Sequence, residues 1–159
     1  MNDVALCFEN GEGVAKDTKK AFDWFLKSAR SGNADAMFHV GLCHESGQGT
    51  TQNKEKAFEW FMRAANKKSV DGMNKVGECY LRGDGTPQSK TKAVKWFMKA
   101  VKKDHPQATL NLAQCLSEGD GVEKDMEKAN QLFEKAKDLG CVCASMTTSS
   151  GTPCPSPSP

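Results

Sequence analysis

Four cysteines fix the organisation of this chain. Cys7, Cys43, Cys79 and Cys115 each stand 36 residues apart, and a fixed period of that length marks a stack of supersecondary units. Shifting the sequence by 36 superposes Gly11/Gly13, Gly47/Gly49, Gly83/Gly85 and Gly119/Gly121 as a repeated G-x-G. The same shift aligns Lys20, Lys56, Lys92 and Lys128, then Ala21, Ala57, Ala93 and Ala129, then Phe25, Phe61, Phe97 and Phe133. Trp24, Trp60 and Trp96 also coincide, with Leu132 in the fourth place. Residues 34–69 and 70–105 are identical at 17 of 36 positions, with no gap.

Each unit reads as two helices. From Ala34 to about Ser46, the apolar and small residues Ala36, Val40, Gly41 and Cys43 share one helical face. Gly47 and Gly49 then stop that helix, because glycine adopts the left-handed conformation at low cost. A second helix from about Lys54 to Asn66 is expected to bury Ala57, Trp60, Phe61 and Ala64. Asp17, Asn53, Ser89 and Asp125 announce the second helices, since their side-chain oxygens accept orphan backbone N–H groups. Asn33 and Ser69 announce first helices, and Pro106 suits the first helical position in the fourth unit. Gly41, Gly77 and Ala113 leave room for a Trp or Phe of the partner helix. The chain lacks isoleucine and is rich in Ala, Lys and Glu, which favours helices over strands. One such hairpin cannot bury its aromatic residues alone, but stacked neighbours can. The expected fold is all-α: a right-handed superhelical α-solenoid of about four helix-turn-helix units.

The unit A-x3-[LV]-G-x-C, followed by G-x-G and K-A-x-x-W-F-x-K-A-A, resembles the Sel1-like repeat. Residues 36–65, AMFHVGLCHESGQGTTQNKEKAFEWFMRAA, carry the resemblance nearly position by position. The pattern is also similar to the shorter tetratricopeptide repeat, but the 36-residue period and the G-x-G favour Sel1-like. The resemblance covers roughly residues 1–140, as units of about 1–33, 34–69, 70–105 and 106–140. It implies a non-catalytic adaptor or scaffold for other proteins or peptides. Ala113, Leu116 and Leu132 depart from the pattern in the fourth unit, as does His44 in the second. Residues 141–159 read as a partial fifth unit that passes into a disordered Ser/Pro-rich tail. Neither end shows a convincing polar capping helix, so self-association through terminal repeats is a further expectation.

Charge and hydropathy narrow the function. Lys and Arg number 22 against 20 Asp and Glu, a net +2, too balanced for a dedicated nucleic-acid binder. No run reaches the ~18–20 apolar residues of a membrane span, and no signal peptide is visible. Seven cysteines in an odd set, four of them at one helical position, read as small buried hydrophobes in a reducing, cytoplasmic setting. No metal site is expected. The repeat cysteines lie too far apart to share an ion, and Cys141-x-Cys143 and His39 with Cys43 are too few ligands. No cofactor is expected either, because the G-x-G lacks a preceding strand and a third glycine. Ser89-Lys90-Thr91-Lys92 matches Ser-x-x-Lys, but Ser89 is explained as a helix cap. The Trp-Phe pairs read as core, and runs such as Lys16, Lys19 and Lys20 or Lys99, Lys102 and Lys103 as solvated faces. Glu9, Glu12, Glu118 and Asp120 read as ordinary surface charge beside the turns, and His39 as pointing to solvent. The chain is expected not to be an enzyme.

A partner would bind along the wall of first helices, the concave side of related solenoids. With Gly41 and Cys43 against the core, Asp35, Phe38, Leu42 and Glu45 turn into the groove. Asp71, Asn74, Glu78 and Leu81 match them in the third unit, and Gln107, Leu110, Gln114 and Ser117 in the fourth. Phe38, Leu42, Leu81 and Leu110 are then either exposed peptide contacts or, for Phe38 and Leu42, packing against neighbouring helices. The acids Asp35, Glu45, Asp71 and Glu78 would favour basic or neutral segments. Two alternatives stand beside the scaffold. One is a regulatory or targeting segment of a larger signalling protein such as a kinase. The other, more remote, is a relative of β-lactam-binding hydrolases.

Overall fold

The computed structural model describes residues 2–11 and 13–141, and they form eight α-helices. In chain order these are α1 (Asn2–Asn10), α2 (Thr18–Arg30), α3 (Ala34–Ser46), α4 (Lys54–Asn66), α5 (Val70–Arg82), α6 (Lys90–Val101), α7 (Pro106–Glu118) and α8 (Met126–Asp138). Each helix packs mainly on the one before and the one after it, which is the stacking of an all-α solenoid. The residues read as a fifth unit and tail, 142–159, lie outside those described.

Caps set the helix boundaries. Asp17, Asn53 and Asp125 each accept a hydrogen bond from the backbone N–H three residues on, at 3.0, 2.7 and 3.0 Å. Ser89 does the same for Lys92 at 3.4 Å. Asn33 and Ser69 cap α3 and α5. At α7 the cap is a residue that sequence reading passed over: His105 Nδ1 accepts from the Ala108 N–H at 3.0 Å, with Pro106 following. The first glycine of each G-x-G is a left-handed C-cap. Gly47, Gly83 and Gly119 donate their N–H to the carbonyls of Cys43, Cys79 and Cys115 at 2.8, 2.8 and 2.9 Å.

The second glycine joins one unit to the next. A Cβ on Gly49, Gly85 or Gly121 would collide with the backbone of Thr18, Lys54 or Lys90 respectively, at the start of the preceding second helix. Beside two of these contacts lies an ion pair, Lys54–Asp84 and Lys90–Asp120, each 2.7 Å. Asp120, read from sequence as ordinary surface charge, is therefore part of a unit-to-unit bridge.

The core runs along the stack between the helix rows. Phe25, Phe61 and Phe97 are fully buried, as are Val40 and Val76. Gly41 and Gly77 face the rings of Phe61 and Phe97, with no space for a methyl group, so the small residues do make room for the partner helix's Phe. The tryptophans differ from expectation. Trp24, Trp60 and Trp96 are only half-buried, on the rim of the core. Lys27, Arg63 and Lys99, one turn on, lie over their rings. A second helix has room for one large side chain pointing straight at its neighbours; Phe takes it, and the adjacent Trp lies about 100° around the helix.

The two ends show what a neighbour contributes. Val4 is 40% exposed, whereas its counterparts Val40, Val76 and Leu112 are 0, 0 and 4% exposed beneath a preceding unit. At the other end Asn130 and Lys137 are exposed where Phe22, Phe58 and Val94, and Ala29, Ala65 and Val101, pack inward. The outer side of α8 is thus more polar than the expectation of an uncapped end, although Phe133 is half-buried rather than fully covered.

Candidate functional site

First helices touch one another through side chains. Lys75 of α5 reaches Glu45 of α3 at 3.2 Å and Glu78 of its own helix at 3.4 Å. Asn111 of α7 donates to the Asn74 carbonyl oxygen at 3.1 Å, and Asn74 donates to Glu78 at 2.8 Å. Gln107 donates to Asn111 at 3.2 Å, and His105, just before α7, meets Asp71 at 2.9 Å. Among the described residues no hydrogen bond or ion pair joins one second helix to the next. Among the described residues, the side-chain bonds between successive helices of one row thus lie along the first-helix row.

The residues assigned to the groove fall into three groups. Glu45, Asn74 and Glu78 belong to the polar network, and Asn74 is 5% exposed, held by bonds at both ends. Phe38, Leu42 and Leu81 are half-buried and pack against the core, Phe38 with its ring 5.8 Å from that of Phe61. Of the two readings open for Phe38 and Leu42, neighbour packing is the one this arrangement supports. Asp35 and Gln114 remain exposed, and Leu110 is half-buried.

Electrostatics follow from the rows. The first helices carry seven carboxylates against Lys75 and Arg82, a net −5. The second helices carry fourteen cations against six carboxylates, a net +8. A near-neutral total therefore conceals two faces of opposite sign. Burial works against the charge on Lys75, but Glu78 and Glu45 outweigh it and raise its pKa. The hydrogen bond from His105 holds the Asp71 carboxyl below its ordinary value.

His39 was expected in solvent. It lies flat on Phe25, with ring centroids 4.5 Å apart and planes 5° apart. Burial lowers its pKa, and Glu9, Asp35 and Asp71 only partly offset that. His44, also missed, is buried, with Phe22 edge-on at 5.5 Å. The 36-residue register marks the His44 position as apolar, since Phe8, Tyr80 and Leu116 are its equivalents, whereas Asp3, Lys75 and Asn111 at the His39 position give no such signal; both rings meet phenylalanines of the preceding repeat.

The five cysteines among the described residues, Cys7, Cys43, Cys79, Cys115 and Cys141, are free thiols. Burial pushes Cys43 and Cys115 up to about 11 and Cys79 to about 12, so they stay protonated and unreactive. Among the described residues no group of three or more His, Cys, Asp or Glu is placed to hold a metal ion. A partly open space beside Cys79 and Phe61 is about 20 Å³, room for a single water. No helix among the described residues is long and apolar enough to cross a membrane.

Comparison with known proteins agrees with this geometry. The Sel1 repeat model matches residues 1–33, 34–69, 70–105 and 106–141. A Sel1 repeat protein from Oxalobacter formigenes superposes with a TM-score of 0.86 at 28% identity, over 90% of this chain and 58% of that one. Helicobacter pylori cysteine rich protein B gives 0.63 at 27% identity, over 81% of this chain and 92% of its own. A protective antigen of uropathogenic Escherichia coli strains, described as displaying an SLR fold, gives 0.63 at 23% identity, over 90% and 38%. The chain thus spans little more than half the length of the Oxalobacter protein. A search of curated proteins gives no significant match. Four consecutive matches over nearly all of the described helices place the chain in the Sel1 repeat family.

Proposed function

We propose that the chain is a non-catalytic scaffold that holds a basic or neutral segment of a partner protein along its first-helix row. Sel1 repeat proteins are generally protein-interaction scaffolds, and the finer reading rests on one observation, the acid excess of that row. Glu45 and Glu78 are partly neutralised by Lys75, and Asp71 is held in a hydrogen bond with His105. Asp35 has no such partner among the described residues and is exposed beside half-buried Phe38, so charge and apolar surface adjoin there. Glu78, Asn74 and Asn111 fix the wall by bonding one another, and a prearranged wall loses less entropy on binding. Protonated thiols fit a reducing, cytoplasmic setting.

Capture from an extract of the source cells tests this with three baits. These are the wild-type protein, a first-helix variant (Asp35→Lys with Leu110→Arg) and a second-helix control (Glu59→Lys). A partner recovered by the wild type and the control, but lost with the first-helix variant, is the expected result. Retention of every partner by the first-helix variant would refute the groove.

A further inference from the structure

We propose that the second-helix face carries a separate binding surface, a basic tryptophan stripe that takes an extended acidic segment of a partner protein. The motif is Lys-x3-Trp-x2-[Lys/Arg]. It occurs as Lys20/Trp24/Lys27, Lys56/Trp60/Arg63 and Lys92/Trp96/Lys99, once per unit at the same position of α2, α4 and α6. Spacings of four and three residues put each indole and both its cations on one helical face. Lys27 Nζ, Arg63 Cζ and Lys99 Nζ stand 5.1, 4.5 and 3.7 Å from the ring centroids. At Trp24 the surface forms a depression lined by Lys20, Asp23, Trp24 and Lys27.

Core packing does not need this arrangement, since Phe25, Phe61 and Phe97 already fill the interior. Stacking instead holds three flexible cations in place, and prearranged groups bind with a smaller loss of entropy. No carboxylate among the described residues forms an ion pair with Lys27, Arg63 or Lys99, although seven other lysines, Lys20 of the stripe among them, form such pairs and His105 hydrogen-bonds to Asp71. The stripe ends at the fourth unit, where Leu132 replaces Trp and Lys135 pairs with Asp104 at 2.7 Å.

Spacing and charge select the partner. Equivalent positions on successive units are on the order of 10 Å apart. An extended chain advances about 3.3 Å per residue, so an acid at roughly every third residue meets one cation–Trp unit after another. A nucleic-acid strand carries a charge about every 3.4 Å and would also meet Asp23 and Glu59 on the same helices. A lipid surface would need apolar side chains to insert, and on α2, α4 and α6 the large exposed one is Met98.

The chain's three tryptophans are all in the stripe, so intrinsic fluorescence reports on it directly. The probe is a nine-residue peptide, (Glu-Gly-Ser)3 with blocked ends, titrated into the full chain at low ionic strength. A saturable fluorescence change below about 1 mM is expected. The triple variant Lys27→Gln, Arg63→Gln, Lys99→Gln should weaken it at least tenfold, while Asp35→Asn with Asp71→Asn leaves it unchanged. Far-UV circular dichroism checks that each variant is folded, and Lys27→Arg with Lys99→Arg, which keeps charge and stacking, should retain binding. Three results overturn the proposal: no change in wild-type fluorescence, equal binding by the folded triple variant, or a response at lower concentration to phosphatidylserine vesicles or oligo-dT. A failed groove with an intact stripe, or the reverse, separates this surface from the first-helix row.

Discussion

Phe61 and Trp60 are neighbours in sequence, both aromatic and both repeated every 36 residues, yet replacing each by alanine should give different results. Phe61 is fully buried against Gly41, with Phe38 beside it. The backbone of α3 already lies against its ring and cannot close further without moving the whole hairpin. Phe61→Ala therefore loses both transfer free energy and a cavity term, together about 3–5 kcal/mol. Trp60 is half-buried, with one face under the Arg63 guanidinium. Water fills the space it vacates, so no cavity term arises and the loss is no more than about 2 kcal/mol. For a chain of this length the first change lowers Tm by roughly 6–20 °C and the second by less than about 8 °C. Thermal melts followed at 222 nm, with urea midpoints as a second measure, give the comparison. Equal losses, or a larger one for Trp60→Ala, would refute the division of labour between the two aromatics.

Gly77→Ala tests the close approach from the other side. A Cβ there would lie 2.5 Å from the Phe97 ring, so a change that in an exposed helix stabilises by about 0.5–1 kcal/mol should here destabilise by about 1–3 kcal/mol, read from urea midpoints. His39 makes stability depend on pH. Its folded pKa lies below its ordinary 6.5, so the unfolded chain binds more protons in that window and stability falls as pH drops from about 7. His39→Asn, the residue found at the equivalent Asn111, should lose less stability between pH 7 and 5 than wild type in parallel denaturant titrations. Cys79, pushed up to about 12 by burial, should react with a thiol reagent at pH 8 far more slowly in the native protein than in urea. Cys79→Ala should cost about 1–2 kcal/mol, and stoichiometric zinc in the native protein or a gel shift on reduction would contradict the free-thiol reading.

What the sequence reveals here is whatever depends on one unit. Helix boundaries follow from Asp17, Asn53, Ser89 and Asp125, which act locally, and the room at Gly41 follows from its phase relative to Phe61. What it hides depends on the next unit along. Trp60 and Phe61 are indistinguishable as hydrophobic residues, and only the packing of the assembled helices shows that Phe61 is enclosed and Trp60 lies at the rim. Phe38 and Leu42 have the phase of groove residues, but their side chains are long enough to fold back on the core. His105 is a rare cap type, chosen because its second nitrogen meets Asp71 of the preceding unit. The opposite charges of the two faces are absent from any whole-chain sum and appear only when helices are assigned to rows.

The glycines that press on the preceding helix also act as a length gauge. Gly49, Gly85 and Gly121 fit only where the incoming loop meets the first carbonyls of the earlier second helix. One residue more or less between a cysteine and its second glycine would carry the loop past that carbonyl and turn the following helix by about 100°. Faces would then mismatch along the rest of the stack, so such a change is felt beyond the unit that bears it. A whole unit of 36 residues, by contrast, brings its own gauge and its own landing place, and can be added or removed as a block without disturbing the joints on either side.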